Sequence, residues 1–232
     1  MKAMFLSDVL VARKYLAQQL VISILVGAFI AIMMGNLYAT APTIGVMMPF
    51  SLAVTILALD ERAGWQQFRL ALPITRADVV IGRYASFALL CLAGIAVGLL
   101  ATLILIVAAQ AAPTVPQLAV LMENFSWQAL LIASVASVAI LLLMLSIIMP
   151  AFVRFGMTKA VRLVPLIVIV FVLIAFQAID GNIAAELVKN VEGLLQTPGG
   201  DAALVAGVLA LAAALYAVSA ALSVKLYAKR EL

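Results

Sequence analysis

The chain has no histidine, one cysteine and little charge. The missing histidine excludes imidazole metal ligands, histidine general bases and Ser-His-Asp triads. Cys91 is the lone cysteine, so no intrachain disulfide can form, and its place inside an apolar run makes it a packed core thiol. Charged residues are 10% of the 232, against about 25% in a soluble domain, so the chain cannot cover a water-facing surface. No Gly-x4-Gly-Lys-Ser/Thr phosphate loop occurs, which excludes the usual way of binding and hydrolysing ATP. Nor does the N-terminus read as a cleavable signal, because Asp8, Arg13 and Lys14 interrupt the segment up to Gln19. There is no internal repeat and no hydrophilic domain.

What fills the chain is apolar sequence, 67% of all residues, cut by four basic clusters. Lys2, Arg13 and Lys14 form the first, and Arg62, Arg69, Arg76 and Arg83 the second. Arg154, Lys159 and Arg162 form the third, and Lys225, Lys229 and Arg230 the fourth; only Lys189 stands apart. Basic charge on alternate polar breaks is the positive-inside pattern of a chain that crosses a membrane repeatedly. The net charge of +4 therefore speaks for topology and lipid headgroups, not for nucleic acid.

About 20 apolar residues cross a bilayer. From Tyr15 to Leu59 there is no charged side chain, room for two crossings and a turn. The pattern predicts an all-α, polytopic membrane protein of one domain, residues 1–232. Its six transmembrane helices fall at about 20–35, 46–59, 85–109, 127–149, 163–179 and 202–224. Both termini are then cytoplasmic, and every basic residue except Lys189 lies inside. Pro42 falls in a short outer turn from Asn36 to Gly45, and Pro150 closes the fourth helix. Residues 1–17 are too polar to span. Phe5, Val9, Ala12 and Leu16 share one face, which reads as an N-terminal helix lying on the interface; a charged extension of the first membrane helix fits nearly as well.

No predicted helix interior holds an ionisable side chain, which argues against proton coupling. Scattered hydroxyls and amides remain. Ser23, Ser51, Thr55 and Gln177 are candidates to line a pathway, although bonding within their own helix is the ordinary fate of such groups. Gly94 and Gly98 have the spacing that allows close helix contact.

The longest cytoplasmic segment, residues 60–84, is patterned. Glu61, Trp65, Phe68 and Leu72 recur on one helical face, and Arg62, Gln66 and Arg69 on a second. Pro73 ends that run. Thr75 with Asp78 three residues on is a capping-box start for the next helix. The segment reads as a short surface helix bonded directly to two membrane helices, suited to passing force from a cytoplasmic partner. A solvated loop anchored by an interfacial tryptophan is the plainer alternative.

The order Asp-Glu … Trp … Phe … Leu-Pro-Ile-Thr-Arg … Val … Gly-Arg-Tyr after the second membrane helix resembles the small ABC-2 type permease subunits of bacterial ABC transporters. Chain length and the six-helix topology agree; many members carry lysine where this chain has Arg83. The resemblance implies a multi-pass protein of the bacterial cytoplasmic membrane that dimerises, as a homodimer, and pairs with two separate ABC ATPase subunits. ATP and magnesium belong to those subunits, and this chain binds no cofactor. It implies an ATPase-coupling helix, with Asp60, Glu61, Arg62, Trp65, Phe68, Arg69, Leu72, Arg76 and Asp78 as the coupling residues. It also implies export of an amphipathic or hydrophobic cargo such as a peptide, drug or lipid-like molecule. Two other classes stand beside this one. A secondary transporter or structural membrane protein would need no ATPase. A lipid-modifying enzyme would need a carboxylate pair, and adjacent Asp60 and Glu61 point to different helix faces.

Overall fold

The computed structural model describes residues 2–62, 75–111, 120–122, 125–156, 159, 186, 189–191, 193–197 and 199–228. Within them lie five long helices: α1 Lys2–Met34, α2 Thr40–Arg62, α3 Arg76–Ala111, α4 Trp127–Phe155 and α5 Gly200–Ala228. All five are long and apolar enough to cross a membrane, and no strand occurs among the described residues. The predicted helix at 163–179 lies outside them.

The separate interfacial helix is not found: α1 is continuous from Lys2 to Met34. Nothing between Ala12 and Leu20 breaks a helix. The segment is also held in the bundle, because Met4, Asp8 and Ala12 are buried at four-residue intervals. Asp8, charged as it is, faces the core. The 33 residues of α1 rise about 50 Å, against a hydrocarbon thickness near 30 Å, so roughly a third of the helix projects beyond the membrane. α1 stops at Gly35, whose φ of +63° only glycine adopts cheaply. The N–H of Asn36 bonds to Ala31 O at 3.2 Å and that of Gly35 to Ile32 O at 3.3 Å, satisfying the last carbonyls in the manner of a Schellman cap.

The predicted outer turn is shorter than Asn36 to Gly45. A single 3-10 turn, Leu37–Ala39, leads straight into α2. Pro42 falls in the first turn of α2, where its missing N–H has no helical acceptor to serve. Pro49 lies within the helix and frees the carbonyl of Gly45. Gly94 of α3 packs directly on Pro49 and Gly45 O, while a Cβ at Gly98 would stand 2.6 Å from Ala41 O. The Gly94/Gly98 spacing thus works as the sequence suggests, bringing the backbones of α2 and α3 together.

Pro150 does not close α4, which continues to Phe155. A proline removes the N–H that would bond to the carbonyl four residues back, here Ser146 O. The Ser219 hydroxyl of α5 donates to that carbonyl at 2.7 Å, so the helix passes the proline with its backbone satisfied. α4 is capped at its start by Ser126, which accepts from Ala129 N, and stopped at Gly156.

Gln128 donates to Asp201 near the starts of α4 and α5, and Ser219 reaches Ser146 well along both, so these two helices run parallel. The chain between them has to return from one end of the bundle to the other. The main core joins all five helices and contains Leu52, Leu57, Phe87, Leu141, Leu145 and Met149. Outward faces are apolar, with Leu25 and Phe29 on α1, Ile104 and Val107 on α3 and Leu211 and Val218 on α5. Every basic residue of the five helices lies towards one end, where α1 and α3 begin and α2, α4 and α5 finish.

Candidate coupling site at the basic end of the bundle

Residues 60–84 run from the end of α2 into the start of α3. Of the nine residues assigned to coupling, Trp65, Phe68, Arg69 and Leu72 lie outside the described residues; the other five stand at the two roots of the segment. Asp60 is buried at the end of α2, next to Glu61, whose carboxylate lies beside Gly156 at the end of α4. Arg62 is exposed. At the other root, Asp78 N donates to Thr75 Oγ1 at 3.1 Å and the Thr75 hydroxyl donates to Asp78 Oδ2 at 2.7 Å. This pair is the predicted capping-box-like start, with Asp78 taking the Thr75 hydroxyl in place of its backbone N–H. Arg76 Nη1 donates to the carbonyls of Tyr227, at 3.2 Å, and Ala228, at 3.1 Å, in the last described turn of α5.

About two turns into α3 sits Arg83, known from the sequence as part of the second basic cluster and of the Gly-Arg-Tyr motif but not assigned to the site. Arg83 is 3% exposed. Its Nε donates to Asp8 Oδ2 at 3.3 Å and its Nη2 to Asp8 Oδ1 at 3.1 Å, a two-pronged grip on α1. Its Nη1 forms an ion pair with Asp60 Oδ2 on α2. The planar guanidinium suits this, offering several donors in fixed directions that an ammonium lacks. Three ionisable groups are therefore buried together inside helices α1, α2 and α3. All three lie outside the predicted membrane spans, on the parts of these helices that extend past them. Burying charge is costly unless each is paired and hydrogen-bonded, and here the partners are supplied.

Tyr84, the next residue, faces the other way. Its hydroxyl bonds with Ser219 Oγ at 2.7 Å and Ser223 Oγ at 2.8 Å, and its carbonyl accepts from the Tyr216 hydroxyl at 2.8 Å. The two tyrosine rings lie 4.8 Å apart. Two consecutive residues of α3 thus bind four other helices between them: Arg83 holds α1 and α2, while Tyr84 holds α5 and, through Ser219, α4.

Of the pathway candidates, Ser51 and Thr55 are neighbours on α2 and Ser23 lies on α1. Thr55 donates to Ser51 O within its own helix, and Ser23 is buried on α1 with no hydrogen-bond partner among the described residues. Gln177 lies outside them. Thr102, Ser137 and Ser146 also bond back within their own helices, as such groups ordinarily do. Sequence reasoning missed Asp8, Arg83 and Tyr84 as site residues. One signal existed for Asp8: it is an acid set between Met4 and Ala12 on an apolar helical stripe.

An all-helical bundle with lipid-facing apolar surfaces, and with the basic residues of its five helices gathered at one end, defines a polytopic membrane protein. The model of the ABC-2 family transporter proteins matches residues 3–228, nearly the whole chain, so the chain belongs to that family. It is a permease component of an ABC transporter, a membrane subunit whose partners are ABC ATPase subunits. No curated protein and no solved structure matches the chain.

Proposed function

We propose that the chain is the membrane half of an ABC exporter and that residues 60–84 dock on its ATPase at the cytoplasmic face. One observation carries this: the segment leaves and re-enters the bundle at the end that holds the basic residues, with each root tied down. Asp60 is joined to Arg83, and Arg76 is joined to the end of α5. Force applied to the segment then reaches α1, α2, α3 and α5 without being absorbed in slack chain.

The parallel course of α4 and α5 supports a sixth crossing between them, and hence both termini on the cytoplasmic side. Clustered basic charge at that end fits the positive-inside pattern of a bacterial cytoplasmic membrane protein. Two copies of the chain form the pathway and two ATPase subunits drive it, binding ATP and magnesium themselves. The cargo is amphipathic or hydrophobic, in keeping with apolar helices that carry only scattered hydroxyls.

The test is co-expression with the ATPase encoded beside the chain and purification through a tag on one subunit. Trp65→Ala with Phe68→Ala is expected to abolish co-purification or the stimulation of ATP hydrolysis. Both unchanged in the double variant would overturn the docking role. Unaltered sensitivity to antimicrobial peptides and hydrophobic drugs on deletion would count against the cargo class.

A further inference from the structure

α1 projects beyond the membrane by roughly a third of its length, and its projecting part is not loose. Met4 and Ala12 are buried in the main core, and Asp8 between them is 2% exposed. The partner of Asp8 is Arg83, which lies on the far root of the 60–84 segment and is itself paired with Asp60 on the near root. Of the three guanidinium nitrogens in use, two go to α1 and one to α2. Two of the three contacts of Arg83 are therefore with a helix that contributes nothing to the segment in sequence.

We propose that Asp8 is a positioning residue that locks the projecting third of α1 to the roots of segment 60–84, so that a displacement of that segment on nucleotide binding moves α1 with α2 and α3. The inference rests on the docking reading above and extends it to a helix outside the docking segment. Van der Waals packing of Met4 and Ala12 alone would let α1 slide along its neighbours. A bidentate carboxylate–guanidinium pair is directional and resists sliding in two dimensions.

Cutting the pair at Asp8 leaves Arg83 with its Asp60 partner, so no cation is stranded. The experiment uses the full complex with its ATPase in phosphatidylethanolamine–phosphatidylglycerol vesicles, in a Cys91→Ser background. One spin label replaces Leu10, which is 65% exposed on α1, and a second replaces Leu211, 64% exposed on α5. The distance distribution is measured without nucleotide and after trapping with ATP and vanadate.

Wild type and Asp8→Glu are expected to show a nucleotide-dependent shift. Asp8→Ala is expected to reduce that shift by about fivefold or more, the lower end of an ordinary coupling factor, while the ATPase is still captured. If Asp8→Ala does not fold, Asp8→Asn, which keeps an acceptor but no charge, is expected to give a smaller shift than wild type at an unchanged melting temperature. A shift in Asp8→Ala or Asp8→Asn equal to wild type overturns the inference and leaves the docking reading standing. A label at position 10 that does not move in wild type also overturns it. ATPase capture and stimulation that both survive Trp65→Ala with Phe68→Ala overturn the docking reading, and this inference with it.

Discussion

The Ser219 hydroxyl donates to the backbone carbonyl of Ser146, at 2.7 Å, and that carbonyl is the one Pro150 strips of its helical donor. A side chain on one membrane helix thus repairs a backbone defect in the next. Ser219→Ala leaves a buried carbonyl unpaired and also removes a bond to Tyr84. The expected loss is about 1 kcal/mol, within the range of side-chain hydrogen bonds measured in membrane helices.

Pro150→Ala supplies the missing N–H from α4 itself. In that background Ser219→Ala should cost less, with only the Tyr84 bond left to lose. A double-mutant cycle from unfolding in mixed detergent–SDS micelles reads the difference directly. Strict additivity of the two changes would show that Ser219 does not serve the proline.

Gly98→Ala and Gly207→Ala make a matched pair. A Cβ at Gly98 meets the backbone of Ala41, while one at Gly207 meets nothing within 4 Å. The first is expected to destabilise by about 1–3 kcal/mol through overpacking between α2 and α3. The second should be neutral or stabilising by up to about 1 kcal/mol from helix propensity. Thermal melts of the two variants side by side check the sign of each.

Arg83→Gln removes the cation that pairs with both Asp8 and Asp60 and leaves both carboxylates buried. The expected cost is about 3–5 kcal/mol, enough to lower the amount of folded protein recovered. Arg83→Lys keeps a charge and loses the fork, so it should fall between Gln and wild type. Recovery in detergent and melting temperature rank the three; a glutamine variant as stable as wild type would contradict the buried ion cluster.

Cys91 is 3% exposed within the main core. Maleimide labelling of the folded protein is expected to fail and to rise in step with unfolding in SDS. Rapid labelling under native conditions would mean that the interior of the bundle opens.

Features decided within a few residues were legible in the sequence. The end of the first membrane helix at Gly35, the Thr75–Asp78 capping box and the close α2–α3 approach at Gly94 and Gly98 all depend on local backbone chemistry or residue size. Pro150 misled because its consequence hangs on a hydroxyl 69 residues away from the proline, and no local rule reports that. The burial of Asp8 depends on a distant partner in the same way. A carboxylate near a chain end ordinarily marks water, and only the arrival of Arg83 from 75 residues on lets it face a core. Of the two readings of the N-terminal segment, a helix lying on the interface and an extension of the first membrane helix, the structure takes the second. The family resemblance was carried by residues 60–84 and holds across the chain, although neither Trp65 nor Phe68 lies among the described residues.

Arg83 and Tyr84 are neighbours in sequence, so their side chains leave α3 about 100° apart. Turning α3 about its own axis by even a fraction of that angle would pull the guanidinium off Asp8 and Asp60, or the phenol off Ser219 and Ser223. Torsion of this helix is thereby blocked, while tilting or translation is not, provided its four neighbours follow. At this end the bundle is thus built to respond as a block, and whatever opening it undergoes has to be taken up further along, where α3 touches α2 through glycine.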